Sequence, residues 1–235
     1  ESIGDYSTYI LGVGATPAGI PCILYARDTG VGASVSVKVG KSSATDGTWV
    51  DAAGFPYTLS SGGGSQPTGG FILISGDYIY AFSGSGGSLS GKVYDGSSWG
   101  SSETAFSDGD QTYGAPSSSA ILMGDGTAKV AYLGSDRAVR IASRAAAGTW
   151  SSVAVYDPGD VVYSIAITSD PSNNSAYVFY SLEAYDHIYY IKLSDGSWGS
   201  PVDWVSESVD GIMNSQYITS SPEIYSGRMS VFYQT

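Results

Sequence analysis

Three pairs of polar residues stand out by type and place: Arg27-Asp28, Asp136-Arg137 and Asp186-His187. A guanidinium or imidazole beside a carboxylate sets charged donors next to charged acceptors. That combination holds a hydroxyl-rich ligand or a single cation. Three further acids, Asp110, Asp160 and Asp210, recur at spacings of 50. The Asp108-Gly109-Asp110 turn offers oxygens to calcium, but calcium takes about six to eight of them and one such turn supplies too few. No other cofactor is expected. The plainer role of all these residues is to form solvated turns, because Asp bonds the amides of its own loop. Catalytic sets are thinner. His187 is the one histidine of the chain, which excludes a multi-histidine metal site. No serine sits in a Gly-x-Ser-x-Gly elbow. Glycine-rich runs such as residues 61–65 precede no helical pattern, so they are loops rather than phosphate cradles.

The elements that would carry these pairs are repeated. Asp46-Gly47-Thr48-Trp49, Asp95-Gly96-Ser97-Ser98-Trp99, Ala147-Gly148-Thr149-Trp150 and Asp195-Gly196-Ser197-Trp198 are four forms of one stretch, with tryptophans 50, 51 and 48 residues apart. An aromatic triplet recurs five times, ending at Tyr25, Tyr80, Tyr132, Tyr180 and Tyr233. Each unit reads as a short apolar run (residues 120–123 and 164–167), a turn, the aromatic triplet, an alternating run (residues 34–39 and 188–193), the Gly-Trp turn and a last run beginning at the Trp (residues 150–156 and 198–205). Alternation at period two argues strands with one buried face, and Asp-Gly breaks argue hairpins. Residues 137–147, the best helical candidate, read as a strand and a loop.

The expectation is therefore an all-β chain of four-stranded antiparallel units of about 50 residues. Such sheets cover both faces only by packing on the next copy, as blades of a β-propeller do. About four and a half repeats fit residues 1–235, read as a single domain. Residues 1–29 resemble residues 207–235, so the last unit is incomplete. The open edge is expected to meet another chain or a further segment of a longer propeller.

Composition narrows the function. The net charge is −12, from 22 acids and 10 bases, with no basic stripe. Nucleic acid and anionic membrane surface are unlikely partners on that ground. No apolar run is long enough to span a membrane as a helix. Tyr makes up 19 of the 30 aromatic residues. A Tyr-rich, weakly charged surface beside polar loop pairs suits recognition of glycans. Cys22 is the only cysteine, which rules out an intrachain disulfide. It lies in an apolar run and is expected in the core. Asn173-Asn174-Ser175 has the form of a glycosylation site.

The Gly-Trp turns carry a resemblance. Residues 43–49 resemble a shortened Asp-box, the Ser-x-Asp-x-Gly-x-Thr-Trp repeat of sialidase-type propellers; the other copies keep Gly and Trp and lose more of the rest. The resemblance implies a β-propeller in which the box staples a turn, with Trp packed between blades. It does not imply catalysis. The family's sialidases use three arginines, a Tyr–Glu pair and an acid/base Asp, with the first Arg in a Phe/Tyr-Arg-Ile-Pro stretch. No such stretch is present here, and three of the five arginines crowd into one repeat.

These readings converge on an extracellular or virion-surface propeller that binds glycan through one loop face, using Arg27, Asp28, Asp136, Arg137, Asp186 and His187. A structural subunit of a filament or phage appendage is the first alternative, and a glycoside hydrolase fragment the second.

Overall fold

The computed structural model describes residues 8–28, 35–63, 67, 69–85, 87–110, 118–145, 148–182, 185–205, 218–220, 228 and 230–233. Every helix or strand among them is a β-strand. The Glu1 and Glu207 segments whose likeness suggested an incomplete unit lie outside these residues, as does Asp210.

Among the described residues, nineteen strands form five sheets. The first sheet runs in order β1 (Thr8–Ala15), β2 (Pro21–Asp28), β3 (Val35–Lys41) and β4 (Tyr57–Gly63). The second contains β5 (Gly69–Ser75), β6 (Tyr78–Ser85), β7 (Ser88–Tyr94) and β8 (Glu103–Phe106). The third contains β9 (Ser118–Leu122), β10 (Ala128–Leu133), β11 (Val139–Arg144) and β12 (Trp150–Tyr156). The fourth contains β13 (Val162–Asp170), β14 (Ser175–Leu182) and β15 (Tyr185–Ser194), with β16 (Ser197–Trp198) and β17 (Val202–Val205) both on β15. In the fifth, the described residues form β18 (Ile218–Ser220) and β19 (Val231–Tyr233). The strands pair antiparallel, and all five aromatic triplets lie in second strands of their sheets. The chain divides into two compact units, residues 1–85 with 89–104 and residues 86–88 with 105–235.

In the first unit, alternate residues of β2 and β3 face one core made of Cys22, Leu24, Ala26, Val35, Val37 and Val39, which Ile72, Ile79 and Ala81 of the second sheet complete. Cys22 is buried as expected, and burial pushes its thiol pKa up. Glycine permits the close approach of strands here. A Cβ at Gly91 would lie 2.0 Å from the Ala81 carbonyl oxygen and 2.6 Å from Phe82 Cα. Both are backbone atoms that a rotamer change cannot move. Gly91→Ala is therefore expected to cost about 1–3 kcal/mol of stability by overpacking, read as a lower midpoint in urea unfolding.

In the second unit, Ile121, Val139, Ile141, Ile165, Ile167, Val178 and Ile191 belong to the larger core. Burying each such side chain stabilises by roughly 1.5–3 kcal/mol. The first strands of successive sheets are joined by serine hydroxyls. The Ile167 amide donates to Ser119 Oγ (3.2 Å), and Ser169 Oγ donates to the Leu122 carbonyl (2.9 Å). One sheet further on, the Ile218 amide donates to Ser164 Oγ (2.9 Å), and Ser220 Oγ donates to the Ile167 carbonyl (3.0 Å).

The Gly-Trp turns lie after the third strands, but they differ in build. Asp46 Oδ1 accepts the Thr48 amide and hydroxyl. Asp95 Oδ1 accepts the amides of Ser97 and Ser98, which hold its carboxyl down at about 2. Asp195 (φ 51°) and Gly196 (φ 76°) are instead both left-handed, as a two-residue type I′ hairpin requires. The tryptophans differ too. Trp99 stacks on Tyr57 of the first sheet at 4.5 Å between ring centres, the packing between sheets that the resemblance implies. Trp49 does not follow. It is 49% exposed, and its indole N–H donates to Asp51. The chain bends back through residues 50–56 before β4 begins, so this ring covers Gly40 of its own sheet.

Candidate functional site

Within each sheet, the connection from second to third strand lies at the end opposite the Gly-Trp turn. All three sequence-predicted pairs fall there. Arg27 and Asp28 close β2 in the first unit, opposite Ser36 and Val35 of β3, and both are half-buried. Asp136 and Arg137 occupy the turn between β10 and β11 in the second unit, and both are exposed. Asp186 and His187 open β15; the Asp186 side chain lies outside the described residues.

Asp136 and His187 reach partners further along the chain. Asp136 turns to Arg140, whose Nε donates to Asp136 Oδ1 (3.1 Å) and whose Nη2 donates to Oδ2. His187 Nδ1 meets Asp203 Oδ2 at 2.8 Å across the β15–β17 pairing. Consecutive side chains leave a strand on opposite faces, so adjacent residues on such a segment tend to find separate partners.

Around Asp136 a network forms that no single motif announces. The loop after β8 lies against the β10–β11 turn: the Ser135 amide donates to the Asp108 carbonyl (2.6 Å) and the Asp110 amide to the Leu133 carbonyl (2.9 Å). Asp108 Oδ1 accepts the Tyr132 hydroxyl at 2.7 Å. The same hydroxyl meets Ser152 Oγ on β12. Arg140 Nη1 stands 3.5 Å from Asp108 Oδ2, so one guanidinium is shared by two carboxylates. A register shift against β12 falls between Val139 and Arg140, where a bulge re-aims side chains. Tyr132 is fully buried and lies flat on Phe106, ring centres 3.8 Å apart and planes 3° from parallel.

The charges follow from these contacts. The hydrogen bonds of Arg140 hold the Asp136 carboxyl below the usual carboxylate range. The Asp136 carboxylate in turn pushes the Arg140 pKa up. Burial drives the Tyr132 phenol up to about 12, and its bond to Asp108 acts in the same sense. Asp136 is thus a fixed anion and Tyr132 a neutral donor. General acid catalysis needs a carboxyl with a raised pKa, and Asp136 is shifted the other way.

Arg137 is left at the tip of this support. Its backbone is left-handed at φ 65°, unusual for a residue with a side chain. The Gly134 carbonyl accepts its amide (2.8 Å), which closes the turn. Its side chain is exposed, and no described residue pairs with it. An exposed guanidinium, braced from behind by an ion-paired network, can bind hydroxyls or an anion by planar two-point hydrogen bonds.

Comparison with solved structures gives the fold independently. A point mutant of the Aleuria aurantia lectin in complex with alpha-methyl-L-fucoside matches at a TM-score of 0.57 and 17% identity, over 97% of this chain and 71% of that one. The same lectin in complex with Fucalpha1-6GlcNAc matches at 0.58 and 17%, over 97% and 72%. In fold, the chain is similar to β-propeller lectins. AofleA from Arthrobotrys oligospora matches at 0.56 and 15% identity, over 92% of this chain and 64% of that one. No protein-family model and no curated protein matches the sequence. The Asp-box resemblance therefore rests on its turn residues alone.

Sequence reasoning missed Tyr132, Arg140, Asp108 and Ser152 as members of one site. Tyr132 was legible only as a fold marker, and Asp108 only as part of a turn with oxygens for calcium. The crowding of Arg137, Arg140 and Arg144 in one repeat was the available signal. Among the described residues, no group of three or more His, Cys, Asp or Glu side chains could hold a metal ion. Asp108, half of the turn considered for calcium, directs its carboxylate to Tyr132 and Arg140.

Proposed function

We propose that this chain is a glycan-binding β-propeller module with degenerate Asp-box turns, acting as a single domain outside the cell or on a virion. Its ligand face is formed by the connections from second to third strands, with Arg27, Asp28, Asp136, Arg137, Asp186 and His187 as contact residues. The observation that carries the reading is Arg137, an exposed cation at the tip of a turn braced by the Arg140–Asp136–Asp108–Tyr132 network. The fold likeness supports it, because the Aleuria aurantia lectin structures hold a fucoside and a fucosylated disaccharide.

A glycan array on the whole chain, run with calcium and with chelator, tests this. The expected result is a defined set of bound glycans that Arg137→Ala weakens at least tenfold without lowering the melting temperature. A blank array at high protein concentration, or binding untouched by Arg137→Ala, overturns the reading. Loss of binding in chelator alone would assign calcium a part in it.

A second reading, an assembly subunit, has one observation in its favour. Ile10 and Val13 on β1 are 66% and 70% exposed, and Tyr9 beside them 42%. Apolar side chains clustered on a surface commonly mark a contact with another chain. Light scattering that gives a monomer at all concentrations would retire it.

A further inference from the structure

The first unit contains a pocket of about 300 Å³ between its two sheets, at the small end of the range for small-molecule sites. Val35 and Val37 of β3 and Leu59 of β4 supply an aliphatic wall. Ser60 and Ser61 of β4, Ser83 of β6, Ser90 of β7 and Ser102 also line it, and the Ser90 hydroxyl is 3.0 Å from that of Thr104. The only charged lining residue among the described ones is Lys92. In a chain with a net charge of −12, a pocket whose one described charge is positive stands against the general field.

Lys92 is held but not neutralised. Its ammonium donates to the Tyr57 hydroxyl at 2.8 Å and lies 5.4 Å from the centre of the same ring. Tyr57 is fixed in turn by its stack on Trp99. No described carboxylate pairs with Lys92, and an ammonium has three donors, so two remain for a ligand.

We propose that this pocket binds a carboxylated monosaccharide unit of the uronic-acid class. The size suits one sugar ring. Serine hydroxyls both donate and accept, which matches ring hydroxyls. The aliphatic wall suits the C–H face of a sugar. A single ammonium matches a single negative charge, whereas a phosphate of nearly two charges leaves an excess inside an acidic protein. The site is separate from the turn carrying Arg137 and does not depend on the reading of that turn.

Titration calorimetry on the whole chain with glucuronate, glucose, glucose 6-phosphate and acetate tests the assignment. Glucuronate is expected to bind at least tenfold more tightly than each of the other three. Lys92→Gln, which keeps a donor for Tyr57 but removes the charge, is expected to abolish that preference. Lys92→Arg should retain most of it, and Arg137→Ala should leave it unchanged. Equal affinity for glucuronate and glucose, no binding of glucuronate, tighter binding of the phosphate, or a preference that survives Lys92→Gln would overturn the proposal. A blank glycan array with glucuronate still bound would refute the loop-face reading alone.

Discussion

Tyr132→Ala is expected to destabilise the second unit by about 3–5 kcal/mol, the range for removing a large aromatic side chain from a core. The ring has no exposed surface and shares its whole face with Phe106. Its loss leaves a cavity between β8 and β10 that neither neighbouring backbone can close. Asp108 would also lose its phenol donor and keep only the longer contact to Arg140. Tyr132→Phe separates the two contributions. It keeps the packing and removes the hydroxyl, so a cost of about 1 kcal/mol is expected, the net value of a typical hydrogen bond. Urea unfolding of both variants checks this. A Tyr132→Ala variant within about 1 kcal/mol of wild type would mean that neither the burial of the ring nor its stack on Phe106 stabilises this unit.

Alkaline pH provides the second large effect. An unfolded tyrosine ionises near 10, whereas Tyr132 in the fold is pushed up to about 12. A raised pKa means that the folded state favours the protonated form. The corresponding stability is fully present below pH 10. It is lost as pH rises from 10 to about 12, because the unfolded chain ionises first. Two pKa units amount to about 3 kcal/mol. Burial shifts Tyr180 in the same direction, so it adds to the same limb. Melting curves from pH 8.5 to 12 should fall steeply above pH 10, and Tyr132→Phe should fall less steeply because one of the phenols that contribute to this limb is gone. Parallel profiles for the two proteins would show that the Tyr132 phenol is solvated in the fold.

The sequence carried the repeat well and the site only in outline. Periodicity placed strands where they form: residues 150–156 match β12, and all five aromatic triplets sit in second strands. Turn chemistry was legible at Asp46 and Asp95, whose carboxylates bond their own loops. It was not legible at Asp195, because the same Asp-Gly pair serves either an Asp-capped loop or a type I′ turn, and strand register separates them: Tyr94 meets Trp99 across a four-residue loop, Ser194 meets Ser197 across a two-residue one. Trp49 shows the same limit. The motif is the same at Trp99 and Trp49, but β8 begins four residues after the one and β4 eight residues after the other, and the longer return brings the Trp49 ring onto Gly40 of its own sheet. Within the site, the turn residues were visible because they are charged and local. Asp108 and Arg140 meet only because one sheet's exit loop lies against the next sheet's turn. Tyr132 and Ser152 meet across β11, which lies between their strands in the third sheet. Neither separation leaves a spacing to read.

The serine contacts between first strands have a consequence for how such a chain changes over time. A β-ladder ties two strands residue by residue, so an insertion shifts every later pair. In the second unit the first strands of the third, fourth and fifth sheets meet through single hydroxyls on single backbone groups: Ser119 and Ser169 at one joint, Ser164 and Ser220 at the next. A joint of that kind tolerates a change of length on either side, as the 48- and 53-residue intervals between Tyr132, Tyr180 and Tyr233 illustrate. Each sheet can then lengthen its turns, and so alter what those turns present to solvent, without disturbing the register of its neighbour.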